Sequence, residues 1–210
     1  MRAAPCIIDR KMEPQFLVFG QLTREYLLPP DGPPRLDVPG GSLLYAASGL
    51  RVWESEIGLV GRAGNDYPRE WLNMCLTRGL DTSGIRIVSK DLDVRDFIAY
   101  SESFEANRVN PVSHFARRGL TFPKALFGYQ PPDEKKKRDD TRTLIVTDIP
   151  NDYLTARAAL LCPMDLVTQT QLIAGMKRGS VHTFVLDPGP ATMIRNARRE
   201  LPALLNGVTA

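Results

Sequence analysis

Cysteine and histidine are scarce in this 210-residue chain, and their scarcity excludes several kinds of site. The three cysteines, Cys6, Cys75 and Cys162, are odd in number and far apart, so we expect neither a disulfide framework nor a zinc knuckle. This usage fits a reducing compartment, and we predict a cytoplasmic protein. The two histidines, His114 and His182, share no motif with a cysteine, so we predict no metal-binding or catalytic role for either.

Charge of one sign and long apolar runs are also lacking. The net charge of +3 is too small to indicate nucleic acid or an anionic membrane as a partner. The dense charge run at residues 133–140 mixes both signs and predicts a solvated loop. No apolar stretch approaches the roughly twenty residues that a membrane span needs, and we expect no secretory signal. The apolar content of 43% is that of an ordinary soluble globular protein.

Several common catalytic signatures do not occur. The sequence has no Gly-x-x-x-x-Gly-Lys-Ser/Thr loop, no Gly-x-Gly-x-x-Gly, no Gly-x-Ser-x-Gly and no His-Glu-x-x-His. The acidic pair Asp139-Asp140 lies in the solvated run, where we expect a surface role. Asp187-Pro188-Gly189 follows a predicted strand, at the edge where open α/β sheets bind ligands, but a strand-to-helix turn is the simpler interpretation.

What the chain does contain is a double glycine, in Pro39-Gly40-Gly41-Ser42, directly before a segment with helical periodicity. Apolar residues recur at the i, i+3, i+4 and i+7 positions and predict one buried helix face: Leu43, Ala46, Ala47 and Leu50. Glycine lets a backbone approach a ligand closely, and a helix N-terminus offers unpaired N–H groups. Taken alone, Pro-Gly-Gly predicts only a tight turn before a core helix.

The elements around this helix predict a layered α/β fold with parallel strands. Residues 16–20 and 56–60 are short apolar runs typical of buried strands, and 26–28 with 35–38 flank a proline-rich reversal as a small hairpin. A loop at 61–66 follows the second strand.

The next predicted helix begins after this loop. Asp66 is expected to cap it, and Pro68 to lie in its first turn. Gly79 is expected to end it. Its apolar face is predicted to consist of Trp71, Leu72, Cys75 and Leu76.

The remaining chain gives weaker patterns. We predict antiparallel neighbouring strands at 85–88 and 97–100, and a long surface excursion without regular structure over 101–141. Further predicted elements are a strand at 144–147, helices at 153–160 and 167–176, a strand at 181–186, a helix holding Met193, Ile194, Ala197 and Leu201, and the opening of a strand at 208–210.

The order of these motifs resembles that of the ribokinase-like (PfkB) carbohydrate kinases. The resemblance covers residues 15–210, weakly over 101–141. It rests on Val18-Phe19-Gly20, Pro39-Gly40-Gly41-Ser42, Gly-x-x-Gly-x-Asp at 61–66, Gly-Leu-Asp-Thr at 79–82 and Val185-Leu186-Asp187-Pro188-Gly189. It implies a doubly wound sheet flanked by helices, with a small β-sheet lid formed by segments 22–38 and 84–101. An irregular lead-in over 1–14 would precede this partial domain at 15–210.

The resemblance also implies a function: ATP-dependent phosphoryl transfer, with Mg²⁺, to a hydroxyl of a sugar or nucleoside-like molecule. By position, Glu25 and the Gly40-Gly41 pair would bind this substrate, because a carboxylate accepts hydrogen bonds from two hydroxyls and glycine N–H groups meet others. The family usually has an aspartate where this chain has Glu25, and an asparagine near it where this chain has Thr23. Tyr45 replaces the asparagine that usually follows the double glycine by four positions. Arg69 replaces a glycine. These changes predict either a larger, aromatic-lined pocket or a lost one.

The catalytic part of the family is not in this sequence. Its Gly-Ala-Gly-Asp motif, which carries the catalytic aspartate, does not occur, so we expect that residue and most of the ATP site beyond Ala210. The C-terminal part of the fold is expected to be missing and this chain alone to be inactive. The alternatives are a non-catalytic PfkB-like binding or regulatory protein and, with little support, a Rossmann-type oxidoreductase. A homodimer through the lid is one way to cover exposed strand edges.

Overall fold

Two β-sheets organise the part of the chain that a computed structural model describes, namely residues 13–131, 141–189, 193 and 201–210. The core sheet is parallel and contains β1 (Phe16–Phe19), β4 (Ile57–Ala63), β5 (Leu80–Ile87), β8 (Ala158–Leu161) and β9 (Thr183–Leu186), in the order β5-β4-β1-β8-β9. The lid sheet contains β2 (Thr23–Leu28), β3 (Arg35–Gly40), β6 (Arg95–Tyr100) and β7 (Ala106–Asn107), in the order β3-β2-β6-β7.

Helices cover both faces of the core sheet, as the predicted doubly wound fold requires. Helices α1 (Ser42–Leu50) and α2 (Arg69–Thr77) lie on one face, and α4 (Leu166–Met176) lies on the other. Helix α3 (Pro111–Arg117) packs on the lid sheet instead, and α5 (Leu201–Leu205) packs on α4. Short 3₁₀ helices occur at Lys124–Leu126, Val146–Asp148 and Asn151–Thr155. Neighbouring residues of a strand point to opposite faces, so Leu17 and Phe19 pack in one cluster with α4 while Val18 packs in another with α1 and α2. No helix within the described ranges is long and apolar enough to cross a membrane.

The structure confirms the predicted elements around the double glycine. Helix α1 starts directly after Gly41, and its side chains Leu43 and Ala47 are fully buried under the core sheet. Strands β2 and β3 pair as the predicted antiparallel hairpin, with Tyr26 opposite Leu36. Gly79, at a φ of 77°, follows the end of α2 as predicted.

The lid sheet has a hydrophobic core of its own. One of its faces is covered by α3 and the residues after it, through a buried cluster comprising Tyr26, Leu28, Phe97, Ala99, Phe115, Leu126 and Tyr129. Arg118 also donates to the carbonyl oxygens of Leu28 and Tyr100, at 3.5 and 3.2 Å, which ties this cover to the ends of β2 and β6. The prediction that 101–141 lacks regular structure is wrong for its described residues, which contain β7, α3 and a 3₁₀ helix. This structure forms because its aromatic side chains pack against the lid.

Three predictions about the middle strands are wrong. Strand β4 continues to Ala63, so 61–63 are not a loop. Residues 85–87 belong to β5, which pairs in parallel with β4 in the core sheet, so the predicted lid segment 84–101 is wrong for these residues. Strand β6 does lie in the lid sheet, but it pairs in parallel with β2 and is not an antiparallel neighbour of 85–88. The connection at 88–94 is too short to indicate the change of sheet.

The segment before β8 also differs from its prediction. Residues 144–147 contain no strand; a 3₁₀ turn begins at Val146, and Asp148 accepts hydrogen bonds from Ile145 N at 3.0 Å and Arg62 Nε at 2.7 Å. Residues 153–160 are not a helix: a 3₁₀ turn is followed by β8, which lies between β1 and β9. A short apolar run buried on both faces does not distinguish helix from strand by periodicity.

Smaller differences occur at helix ends. Pro68 is the N-cap of α2, which has no side-chain cap, and Asp66 instead accepts a hydrogen bond from Leu92 N at 3.1 Å. The helix predicted at 167–176 is present as α4 (Leu166–Met176), and the strand predicted at 181–186 is present as the shorter β9 (Thr183–Leu186). Residues 208–210 lie beside β9, where Thr209 N donates to the Phe184 carbonyl at 2.7 Å. The charge run at 133–140, residues 1–12 of the lead-in and most of the predicted helix after Met193 lie outside the described residues.

Candidate functional site

The carboxylate of Glu25 is the centre of the candidate site. Three donors surround it: Thr23 Oγ1 and Gly41 N donate to Oε1 at 3.1 and 2.9 Å, and the Tyr45 hydroxyl donates to Oε2 at 2.5 Å. Glu25 is only 3% exposed, although it is ionisable. Burial of a carboxylate is tolerated where several hydrogen bonds replace its hydration, and these three do so here.

Both positions of the double glycine require glycine because a side chain would collide with a neighbour: with the Glu25 carboxylate at Gly40, and with the backbone of Gln21 at Gly41. A Cβ on Gly40 would lie 2.0 Å from Glu25 Cδ. Gly41 has φ 96° and ψ 160°, a region that is essentially restricted to glycine, and a Cβ there would lie 2.2 Å from the carbonyl oxygen of Gln21. The double glycine is thus a contact surface as well as a turn.

The fold brings these residues together where β1 ends. The chain leaves β1 at Gly20, crosses to the lid as β2, and returns along β3 to Gly41, the N-cap of α1. Leu43 N donates back to the Gln21 carbonyl at 3.2 Å, which fastens the start of α1 to the end of β1. The Glu25 carboxylate therefore lies at the N-terminus of a helix, where the helix dipole favours a negative charge.

A second carboxylate lies beside Glu25 on the same face of the lid. Asp96 on β6 is the register neighbour of Glu25, and register neighbours project to one face of a sheet. Burial raises the pKa of the Asp96 carboxyl; Arg108, which donates to it at 3.2 Å, opposes that rise, and the charge of Glu25 adds to it. For Tyr45, burial and then the hydrogen bond to Glu25 raise the pKa of the hydroxyl well above its usual value. The Tyr45 hydroxyl therefore stays a donor at neutral pH.

The root of the lid, where β2 begins, is held to β3 and to α2. Arg24 forms a bidentate pair with Asp37 at 2.8 and 2.7 Å, and its guanidinium lies 6.0 Å from the ring centroid of Trp71. These contacts locate β2, and with it Glu25, over the start of α1. A cavity of about 350 Å³ opens at this root without including Glu25; it is lined by Arg24, Asp66, Asp91, Leu92, Asp93, Val94 and Arg95.

All five residues predicted for the site lie together in the structure: Thr23, Glu25, Gly40, Gly41 and Tyr45. Sequence reasoning missed Asp96 and Arg108. Asp96 is 71 positions beyond Glu25, and the pairing of β2 with β6 that joins them has no local signal in the sequence. Arg69, which replaces a family glycine, is the first residue of α2.

Comparison with known proteins supports the fold that this geometry suggests. No family model matches the chain. A ribokinase from Giardia lamblia superposes on 93% of this chain with a TM-score of 0.57 and 15% identity, and a fructokinase with bound ATP from Xylella fastidiosa on 92% with a TM-score of 0.55 and 16% identity. The chain has the ribokinase-like fold.

A curated protein is similar over part of the sequence. The cytidine kinase of Thermococcus kodakarensis is 36% identical over 72 residues, which are 34% of this chain and 25% of that kinase. The chain likewise covers 56% of the ribokinase and 58% of the fructokinase, so it spans well under two thirds of the proteins it matches. The resemblance to ribokinase-like kinases predicted from the sequence is confirmed.

Proposed function

We propose that this chain is the substrate-binding and lid-bearing part of a PfkB-type kinase, which transfers a phosphoryl group from ATP to a hydroxyl of a sugar or nucleoside. The observation that supports this most strongly is the convergence of Thr23, Gly40, Gly41 and Tyr45 on the buried carboxylate of Glu25 between lid and core. The similar proteins include a cytidine kinase and a fructokinase, so the proposal covers both nucleosides and sugars as substrates.

In this proposal the residues bind and orient the substrate. Glu25 accepts hydrogen bonds from substrate hydroxyls, and the lid sheet shields the bound molecule from water, as phosphoryl transfer requires. The base that would activate the acceptor hydroxyl belongs to a Gly-Ala-Gly-Asp motif that this sequence does not contain. We therefore propose that these 210 residues bind substrate without transferring phosphate.

ATP and Mg²⁺ are proposed only for the complete enzyme. Among the described residues, no three His, Cys, Asp or Glu side chains form a group that could hold a metal ion. The residues described in the structure therefore offer no set of ligands for the metal. A similar fructokinase binds ATP, which supports ATP as the phosphoryl donor.

A non-catalytic binding or regulatory protein is the second candidate. The observation that favours it is that the protein's own groups already satisfy Glu25, with Tyr45 on the oxygen that Thr23 and Gly41 leave open. In that case the fold would be retained while the sugar contacts had been replaced by internal ones.

Isothermal titration calorimetry with cytidine and D-ribose tests the proposal. We expect Glu25→Gln to weaken binding at least tenfold, because a hydrogen bond to a charged acceptor contributes about 1.5–3 kcal/mol. Glu102→Gln is the matched control, since Glu102 is exposed and its substitution changes the charge equally. Equal binding by the wild-type chain and Glu25→Gln would contradict the proposed function. Undetectable binding of both ligands by the wild-type chain and also by Tyr45→Phe, which lacks one of the donors on Glu25, would contradict it too.

Two properties of the protein's setting are also proposed. A cytoplasmic location agrees with the free, buried thiols of Cys75 and Cys162. A homodimer through the lid would use an edge strand of the lid sheet, β3 or the two-residue β7, or the face that the cluster around Phe115 leaves uncovered. Size-exclusion chromatography with light scattering distinguishes monomer from dimer.

A further inference from the structure

The hydrogen-bonding capacity of Glu25 limits what a ligand could reach. An ionised carboxylate offers about four lone-pair positions. Thr23 and Gly41 both donate to Oε1 and fill its two positions. Tyr45 fills one of the two positions on Oε2, so the fourth lies on the same oxygen as the Tyr45 hydroxyl. Glu25 is nevertheless 3% exposed, so that oxygen is shielded from solvent. A ligand hydroxyl therefore needs one of the three donors to move.

Of these three donors, Tyr45 is the one that is free to move. Gly41 N belongs to the backbone at the start of α1, and Thr23 lies within β2, where its position is set by pairing with Gly40. Tyr45 lies in the first turns of α1, and 59% of its surface is exposed. Its ring can rotate away without opening the core, since exposed side chains change rotamer within nanoseconds.

We infer that Tyr45 is the gate of this site: its hydroxyl occupies the position on Glu25 Oε2 that a ligand hydroxyl takes, so ligands bind only by displacing it. This rests on the proposed function, because it assigns the regulation of the same substrate site. The gate also explains how the site can bind a ligand although Tyr45 replaces the usual asparagine. Once the tyrosine side chain moves away, the Glu25 carboxylate and both glycines are still in place to contact the ligand. The ligand class is a ribose or other polyol with hydroxyl donors.

Calorimetry with D-ribose and cytidine on Tyr45→Phe tests the gate. This variant keeps the ring and removes the competing hydroxyl, so we expect both ligands to bind about tenfold more tightly than to the wild-type chain. Tyr45→Asn, which also opens space above Glu25, is the second variant and should bind D-ribose at least as tightly as Tyr45→Phe. A purely structural role for Tyr45 would leave the affinity of Tyr45→Phe unchanged or would weaken it. Circular dichroism establishes that each variant is folded.

The outcomes separate the gate from the proposed function. Unchanged or weaker binding by Tyr45→Phe, with Glu25→Gln still weakening the wild-type affinity, overturns the gate and leaves the substrate site standing. If neither the wild-type chain nor either Tyr45 variant binds D-ribose or cytidine, the proposed function fails and the gate fails with it. Tighter binding by Tyr45→Phe that Glu25→Gln abolishes in the double variant supports the gate.

Discussion

Replacing Gly41 by alanine tests whether the double glycine is a close backbone contact or an ordinary turn. Gly41 has φ 96° and ψ 160°, and an added Cβ would lie 2.2 Å from Gln21 O and 2.9 Å from Thr23 N. Both contacts are with backbone atoms, which no side-chain rotation relieves. The chain must therefore shift at the place where β1, β2 and α1 meet.

The expected loss of stability follows from these contacts. A residue other than glycine in this region of φ and ψ costs about 1–3 kcal/mol. The shift also weakens the bond from Gly41 N to Glu25, and a hydrogen bond to a charged group contributes about 1.5–3 kcal/mol. Because the two effects overlap, we expect Gly41→Ala to lower the free energy of unfolding by about 3 kcal/mol, or the melting temperature by about 6–12 °C.

The same helix provides a matched control in Gly49→Ala. Gly49 lies in α1, and no atom lies within 4 Å of an added Cβ there. Alanine is favoured over glycine in a helix by about 1 kcal/mol, so this variant should be slightly more stable than the wild-type chain. Urea unfolding followed by far-ultraviolet circular dichroism measures both. If Gly41→Ala matches the wild-type stability while Gly49→Ala behaves as expected, the close contact assigned to Gly41 is wrong.

Three further predictions concern the core and the lid. Burial raises the pKa of the Cys162 thiol to about 11. Iodoacetamide at pH 8 should therefore alkylate it more than tenfold more slowly than a free cysteine, as measured by peptide mass spectrometry. Fast labelling would contradict the burial of this thiol. The hydrogen bond from Arg24 holds the pKa of Asp37 below its usual value. The pair therefore stabilises the fold above a pH of about 4, and this contribution is lost as the pH falls through the lowered pKa. Asp37→Asn should make the free energy of unfolding in urea less sensitive to acid between pH 3 and 7, and an unchanged pH profile would refute this. Phe115→Ala should lower the free energy of unfolding by about 3–4 kcal/mol, because Phe115 is buried against the lid sheet. A loss below about 1 kcal/mol in urea unfolding would mean that α3 does not pack on the lid as described.

Local sequence signals were sufficient for the elements nearest the site. The double glycine, the spacing of Leu43 and Ala47 and the proline-rich reversal each specify structure within a few residues, and the structure has all three. The grouping of Glu25 with the glycines came from the family resemblance. That grouping depends on how β3 returns to α1, which spacing alone does not specify.

The errors share a physical cause, which is dependence on distant pairing. Strand β8 was predicted as helix because its stability comes from β1 and β9 on either side. The sequence places residues 85–87 outside the parallel sheet because their partners in β4 lie 24 positions earlier, across α2, as in the pair Gly61 and Ile85. The cover of the lid was missed because Phe115 has a partner surface only after β2 and β6 have paired.

The central claim is that ligands bind at Glu25 and the double glycine, and amide chemical shifts measured while cytidine or D-ribose is titrated test it most directly. We predict the largest shifts in two-dimensional nitrogen–proton spectra at Thr23, Gly40 and Gly41, whose backbone surrounds the carboxylate. Shifts concentrated instead at the cavity that Asp66 and Asp93 line, or no shifts at millimolar ligand, would contradict the account.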